Sequence, residues 1–151
     1  MEIERGEREA QEIVGLRETV RMDDLAEFFP RAMTASAEAL AERGIEPSGP
    51  AVALFERAEG DAFDVTAGFP VPPGAAPSDA VVAAMLPGGA TVEAIHEGPY
   101  DSLRDAHREL TEWFRENGTD APRAVWEEYL VGPETEDDAA RWRTRLVYPA
   151  G

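Results

Sequence analysis

Between residues 13 and 22 apolar and polar side chains alternate. Val14, Leu16, Val20 and Met22 fall on one side and Ile13, Arg17, Thr19 and Arg21 on the other, which predicts a half-buried strand whose apolar face is interrupted by Glu18. The rhythm then changes. Leu25, Phe28, Phe29, Ala32, Ser36, Ala37 and Leu40 recur at helical spacing, with Asp23 and Asp24 placed to cap the start and Gly44 to stop the run. Pro30 marks either a restart or a kink of that helix. Two strands are predicted over 51–57 and 63–71, joined by a hairpin turn at Glu59-Gly60-Asp61. The Pro- and Gly-rich residues 72–80 read as a linker.

A similar order follows. Residues 81–86 and 91–96 are strand-like, and Gly98-Pro99-Tyr100 is a turn with Asp101 or Ser102 as helix cap. Leu103, Ala106, His107, Leu110, Trp113, Phe114 and Asn117 then carry a helical stripe to Gly118, and strands are predicted over 123–131 and 141–148 around an acidic loop. Met22-Asp23-Asp24-Leu25 aligns with Tyr100-Asp101-Ser102-Leu103, and FDVTAGFP from Phe63 with WRTRLVYP from Trp142. The pattern predicts an α+β fold of two β-α-β-β units, about 11–71 and about 81–149. They would pack with pseudo-twofold symmetry into one domain over 11–151, with a ligand cleft at their junction. Residues 1–10, mostly charged, are expected to be a flexible lead-in.

The chain has 151 residues, a size suited to one domain that buries about two thirds of its unfolded surface. Its 14 basic residues are all arginine and stand against 31 acidic ones, a formal net charge of -17. Such a surface repels phosphates, so direct nucleic acid binding is not expected. With no cysteine there is no disulfide, thiol nucleophile or thiolate metal site. The two histidines lack a metal-ligand spacing, and no Gly-x-Ser-x-Gly elbow or phosphate-cradling glycine motif occurs, so neither a metal nor a cofactor is implied. A charged amino terminus and short apolar runs point to a cytoplasmic protein that does not cross the membrane.

Against this background one stretch carries chemistry. Residues 124–130 read AVWEEYL, and as a strand they put Glu127 and Tyr129 on one face and Trp126, Glu128 and Leu130 on the other. A carboxylate facing the core would need a cation or hydrogen-bond donors. Either glutamate can equally lie on a solvated face, and the local pattern does not choose between them.

His96-Glu97-Gly98-Pro99-Tyr100 with Leu103, then Leu110 and Trp113, then Trp126-Glu127-x-Tyr129-Leu130-x-x-Pro133 together resemble the GyrI-like small-molecule-binding domain, also called the AraC-type effector-binding domain. The resemblance spans about 13–149. It implies a central cleft lined by aromatic rings around a glutamate, carried over to Glu127, that takes cationic or amphipathic small molecules. Members similar to this chain occur fused to DNA-binding domains or free-standing; no helix-turn-helix precedes Ile13, so a free-standing domain is expected. On the resemblance Glu128 becomes the solvated acid and Trp126 a core residue.

The expected ligand-binding set is Glu127, Tyr129, Phe55, Tyr100, Met22 and His96. Phe55 holds, in the first unit, a place near that of Glu127 in the second, and Met22 corresponds to Tyr100. Glu18 is expected at a solvated strand end and His107 beside the core. Two other functions use or bypass the same residues. A hydrolase of strained electrophiles would use Glu127 as general base, with Tyr129 or Tyr100 donating to the leaving oxygen. A protein-interaction module, such as a gyrase modulator, would present its acidic surface to a protein partner.

Overall fold

The computed structural model describes residues 1–75 and 79–150. Among them are eight strands, β1 (Ile3–Arg8), β2 (Gln11–Arg21), β3 (Val52–Arg57), β4 (Ala62–Pro70), β5 (Val82–Leu86), β6 (Gly89–Glu97), β7 (Ala124–Val131) and β8 (Arg143–Pro149), and two α-helices, α1 (Leu25–Glu42) and α2 (Leu103–Glu116). The fold is α+β. All strands join one antiparallel sheet in the order β1-β6-β8-β7-β3-β4-β2-β5. The linker expected over 72–80 includes residues 76–78, which lie outside the described residues, as does residue 151.

The sheet curls because its two outer strands continue into strands at its opposite ends. Only Glu9 and Ala10 separate β1 from β2, and only Pro87 and Gly88 separate β5 from β6. The ladder of β1 with β6 and that of β2 with β5 keep one register, from Ile3 opposite Ala94 to Gly15 opposite Val82. They therefore form a single bent antiparallel pair. A Cβ at Gly88 would come within 2.8 Å of the Ala10 nitrogen, so the bend needs glycine there.

Each face of the curled sheet has its own core. On one face α1 packs Phe28 and Ala32 against Val20, Ala53, Phe55, Val65 and Ala67, while α2 packs Leu103, Ala106, Leu110 and Phe114 against Val92, Ala94, Leu146 and Tyr148. On the other, Ile13, Val52, Leu54, Leu86, Trp126 and Val147 meet from five different strands. No helix residue belongs to this second cluster; the curl itself brings those side chains together.

Several sequence expectations need correction. Residues 3–8 are not a loose lead-in but the edge strand β1, held to β6 and, through Arg8, to Glu93 and Glu128. Charges obscured it because ion pairs rather than apolar contacts fasten it. Asp24 and Ser102 occupy the helix N-cap positions, yet neither side chain makes a capping bond. A three-residue 3-10 turn, Met22–Asp24 or Tyr100–Ser102, runs directly into each helix. α1 does not restart at Pro30 but continues through it, and Ala39 rather than Ala37 is buried on its stripe.

Candidate functional site

Glu127 sits on β7, which with β3 forms the middle pair of the sheet. The row of cross-strand partners through it reads Ile3, Ala94, Leu146, Glu127, Ala53, Ala67, Leu16. Glu127 is the one ionisable residue in that row and is 5% exposed. A carboxylate so placed has lost most of its hydration, at a cost of several kcal/mol unless donors meet it.

Two donors do. The Tyr129 hydroxyl donates to Oε1 at 2.7 Å, and His107 Nε2 lies 2.6 Å from Oε2. Because a carboxylate oxygen accepts, Nε2 carries the hydrogen and leaves Nδ1 to accept from the Tyr148 hydroxyl 2.6 Å away. The four side chains form one relay, Tyr148 to His107 to Glu127 to Tyr129. Burial chiefly, with the Glu127 charge behind it, pushes both phenols above the ordinary tyrosine range, so each keeps its proton. Thr111 Oγ1 donates to the His107 carbonyl one helical turn back, at 2.9 Å.

Aromatic rings extend from this relay. Trp142 lies 4.9 Å from Tyr100, Tyr100 5.8 Å from Tyr129, Tyr129 6.1 Å from Phe29, Phe29 6.3 Å from Phe55 and Phe55 6.1 Å from Phe63, centroid to centroid. Most meet edge to face, the arrangement ring quadrupoles favour. The ladder of β7 with β8 shifts register between Tyr129 and Val131, a bulge at the point where Tyr129 turns toward Tyr100. Burial first, then Glu134 and Glu127, raises the Tyr100 phenol as well.

The structure thus brings Glu127, Tyr129, Tyr100 and Phe55 into one ring-lined group. Phe55 stands opposite Val125 and reaches Tyr129 through Phe29; it is Ala53 that faces Glu127 across the strands. Met22 is 45% exposed at the turn before α1, the counterpart of the turn that carries Tyr100 before α2. His96 secures a turn, with Nε2 2.8 Å from Ser102 Oγ and 3.4 Å from the Pro99 carbonyl. Glu18 ion-pairs with Arg31 of α1 at the solvent edge.

Trp126 is core, 1% exposed. Glu128 is not the solvated acid: on the opposite face its carboxylate meets Arg8 at 2.9 Å, Arg145 at 3.0 Å and the Trp126 indole N–H at 3.2 Å. The curl that brings Arg8 across the sheet explains this, and local alternation carries no sign of it. The sequence reading set His107 beside the core and assigned neither it nor Tyr148, Phe29 or Trp142 to the site. A histidine on the buried stripe of α2 and a glutamate facing the core each lack a partner in sequence; matching those two deficits would have found the pair.

Both oxygens of Glu127 are met by the protein's own side chains, Oε1 by Tyr129 and Oε2 by His107. Two cavities open elsewhere, and Glu127 lines neither. One of about 940 Å³ runs along β1, β6 and β8 beside Arg8, Glu93 and Arg145, and one of about 280 Å³ lies between Trp126, Leu86 and Pro50. Among the described residues no cluster of His, Asp and Glu is suited to a metal ion, and no helix is long and apolar enough to cross a membrane.

The sequence profile of the GyrI-like small molecule binding domain matches residues 1–150. No curated protein sequence matches the chain significantly. Among solved structures, the EcmrR C-terminal domain is similar with a TM-score of 0.82 at 22% identity, over 98% of this chain and 96% of that one. EcmrR in a complex with DNA gives 0.81 at 23% identity over 98% of this chain, which spans 56% of that longer protein. SAV2435 bound to tetraphenylphosphonium gives 0.74 at 12% identity, over 100% and 94% of the two chains. A hydrolase from Listeria innocua gives 0.61 at 13% identity, over 99% and 92%. At these identities the likeness is one of fold.

Proposed function

We propose, from the premise that the chain belongs to the GyrI-like small-molecule-binding domain family, that it binds cationic or amphipathic small molecules at Glu127 for sensing or sequestration in the cytoplasm. One observation carries this: a buried carboxylate at the centre of an otherwise apolar cross-strand row, with a succession of aromatic rings leading away from it. A delocalised cation would exchange its hydration for the Glu127 charge and the faces of Tyr129 and Tyr100, each well-placed ring contributing about 0.5–2 kcal/mol. The breadth of ligands expected of such a site follows from its recognising charge and apolar surface rather than a fixed hydrogen-bond pattern.

The strand order supports a pseudo-twofold axis between β3 and β7, since β4, β2 and β5 on one side answer β8, β6 and β1 on the other. Glu127 then lies beside the axis, where the two β-α-β-β units meet. The net charge of -17 argues against nucleic acid contact by these residues. SAV2435, of similar fold, is seen with tetraphenylphosphonium, which recommends that cation as a probe.

The test is calorimetric. Glu127→Gln should weaken tetraphenylphosphonium by about tenfold or more, because a hydrogen bond or contact to a buried charge contributes about 1.5–3 kcal/mol. Binding of neutral triphenylphosphine oxide should change little. Equal affinity of both proteins for the cation would remove Glu127 from the site.

Hydrolysis is a second reading, favoured by the buried carboxylate held between the donors of His107 and Tyr129: Glu127 would take the proton from water as general base. Multiple turnovers of a strained electrophile, lost in the same Gln variant, would establish it; stoichiometric protection would reject it.

A further inference from the structure

Strand pairing gives the two halves of the sheet matching rows on the helix-side face. In the row through Glu127, its partner across the middle of the sheet is Ala53. Two residues along each strand, one half sets His96, Thr144 and Tyr129 in register, and the other sets Glu18, Val65 and Phe55. Under the pseudo-twofold arrangement proposed above, Glu127 answers Ala53, Tyr129 answers Phe55 and Thr144 answers Val65. At three neighbouring positions the second unit carries a side-chain oxygen where the first carries only hydrocarbon.

Two of these groups satisfy each other, since the Tyr129 hydroxyl donates to Glu127 Oε1 at 2.7 Å. The third has no partner. Thr144 is 0% exposed, and its Oγ1 is buried without a hydrogen bond. A hydroxyl so placed has given up its hydration with nothing in return. Val65, its counterpart, is equally buried among apolar side chains, so packing at this place is met by hydrocarbon alone. Thr66 Oγ1 and Glu12 Oε2 are also buried without partners, but Thr66 stands opposite Leu54 on the other face and Glu12 opposite Met85 of the edge strand β5. Thr144 is directly opposite Tyr129 and diagonal to Glu127, about 7 Å from the acid on the same face.

We propose that Thr144 is a specificity-determining residue of the Glu127 site: its unpartnered hydroxyl, one row from the buried acid, receives a hydrogen-bonding group that the organic cation carries beside its charge. This rests on the ligand reading of Glu127 given above and narrows it. The ligand class is an aromatic cation with an uncharged polar group, such as a hydroxyl or a carbonyl, about one ring's length from the positive centre. With Glu127 holding the charge, Thr144 Oγ1 donates to that group or accepts from it, and so gains the bond it lacks in the free protein. Tyr100 is the exposed ring of the aromatic group and touches both Tyr129 and Trp142, which makes it the cover that moves when a ligand reaches this row.

The experiment combines two ligands of one shape with two proteins. The ligands are tetraphenylphosphonium derivatives bearing a single ethyl or a single hydroxymethyl group, in para and meta series; the proteins are the wild type and Thr144→Val. The ratio of the two dissociation constants should favour hydroxymethyl by about 3–10-fold more in wild type than in Thr144→Val, in at least one series. Unsubstituted tetraphenylphosphonium should bind both proteins alike, and Thr144→Ser, which keeps the oxygen, should restore the preference. Without ligand, Thr144→Val should unfold in urea at the wild-type midpoint or above it, because the hydroxyl it loses has no partner. A ratio unchanged in both series overturns the proposal. So does a lowered midpoint or a variant that does not fold, either of which would give the hydroxyl a partner in the free protein. An unchanged ratio with tetraphenylphosphonium binding weakened in Glu127→Gln overturns the role of Thr144 and leaves Glu127 as charge partner, whereas no phosphonium binding at all overturns both.

Discussion

The Tyr129 hydroxyl gives Glu127 one of its two donors, at 2.7 Å. Tyr129→Phe would keep the ring in its contacts with Phe29 and Tyr100 and leave Oε1 buried without that bond. Unfolding in urea should then show a loss of about 1–3 kcal/mol, the range for an unmet buried polar group. A change below about 0.5 kcal/mol would mean that Oε1 finds water or another donor. At this scale sequence reading went far on β7 and stopped at its borders. The alternation of 124–130 separates Glu127 with Tyr129 from Trp126 with Glu128, as the strand does. It cannot show that His107, twenty residues back on α2, closes over Oε2, because that contact exists only once helix and sheet have packed.

Strands and helices with one apolar side were legible, and β1 was not. Its burial is intermediate at Ile3 and Arg8 and exposed between, so no periodicity marks it. Arg8 holds it instead, with Nη2 2.9 Å from Glu93 and Nη1 2.9 Å from Glu128. Desolvation pushes the Glu93 carboxyl upward, but hydrogen bonds from Arg8 and Thr91 outweigh it and hold that carboxyl below its ordinary value. A lowered value in the folded state means stabilisation that is fully present above the ordinary carboxylate range and is lost as pH falls through the lowered one. Arg8→Ala should therefore cost about 1–3 kcal/mol at neutral pH and speed hydrogen exchange across Ile3–Arg8, with the difference shrinking in acid. Equal stability of the two proteins at neutral pH would show that backbone pairing to β6 alone retains the strand.

At the scale of the whole molecule, the bent pair of β1–β2 with β5–β6 turns a flat strand order into a curled sheet with two cores. From β2 onward the element order was visible in the repeated helical and strand periods; the curl was not, because it depends on which edges join. It separates two chemistries. On the helix-side face Glu127 lies among rings, whereas the other gathers Arg8, Glu93, Glu128 and Arg145, three of them lining the cavity of about 940 Å³. A ligand that fits by available space alone would take that cavity, and one drawn by charge and aromatic surface would open the contact between His107 and Glu127.

A crystal structure with tetraphenylphosphonium bound separates these outcomes. If Glu127 is the charge partner, the phosphonium lies beside its carboxylate and within about 6 Å of the Tyr129 and Tyr100 rings, with His107 withdrawn from Oε2. A phosphonium seated beside Arg8 and Arg145, with the bond from His107 to Glu127 intact, would contradict it.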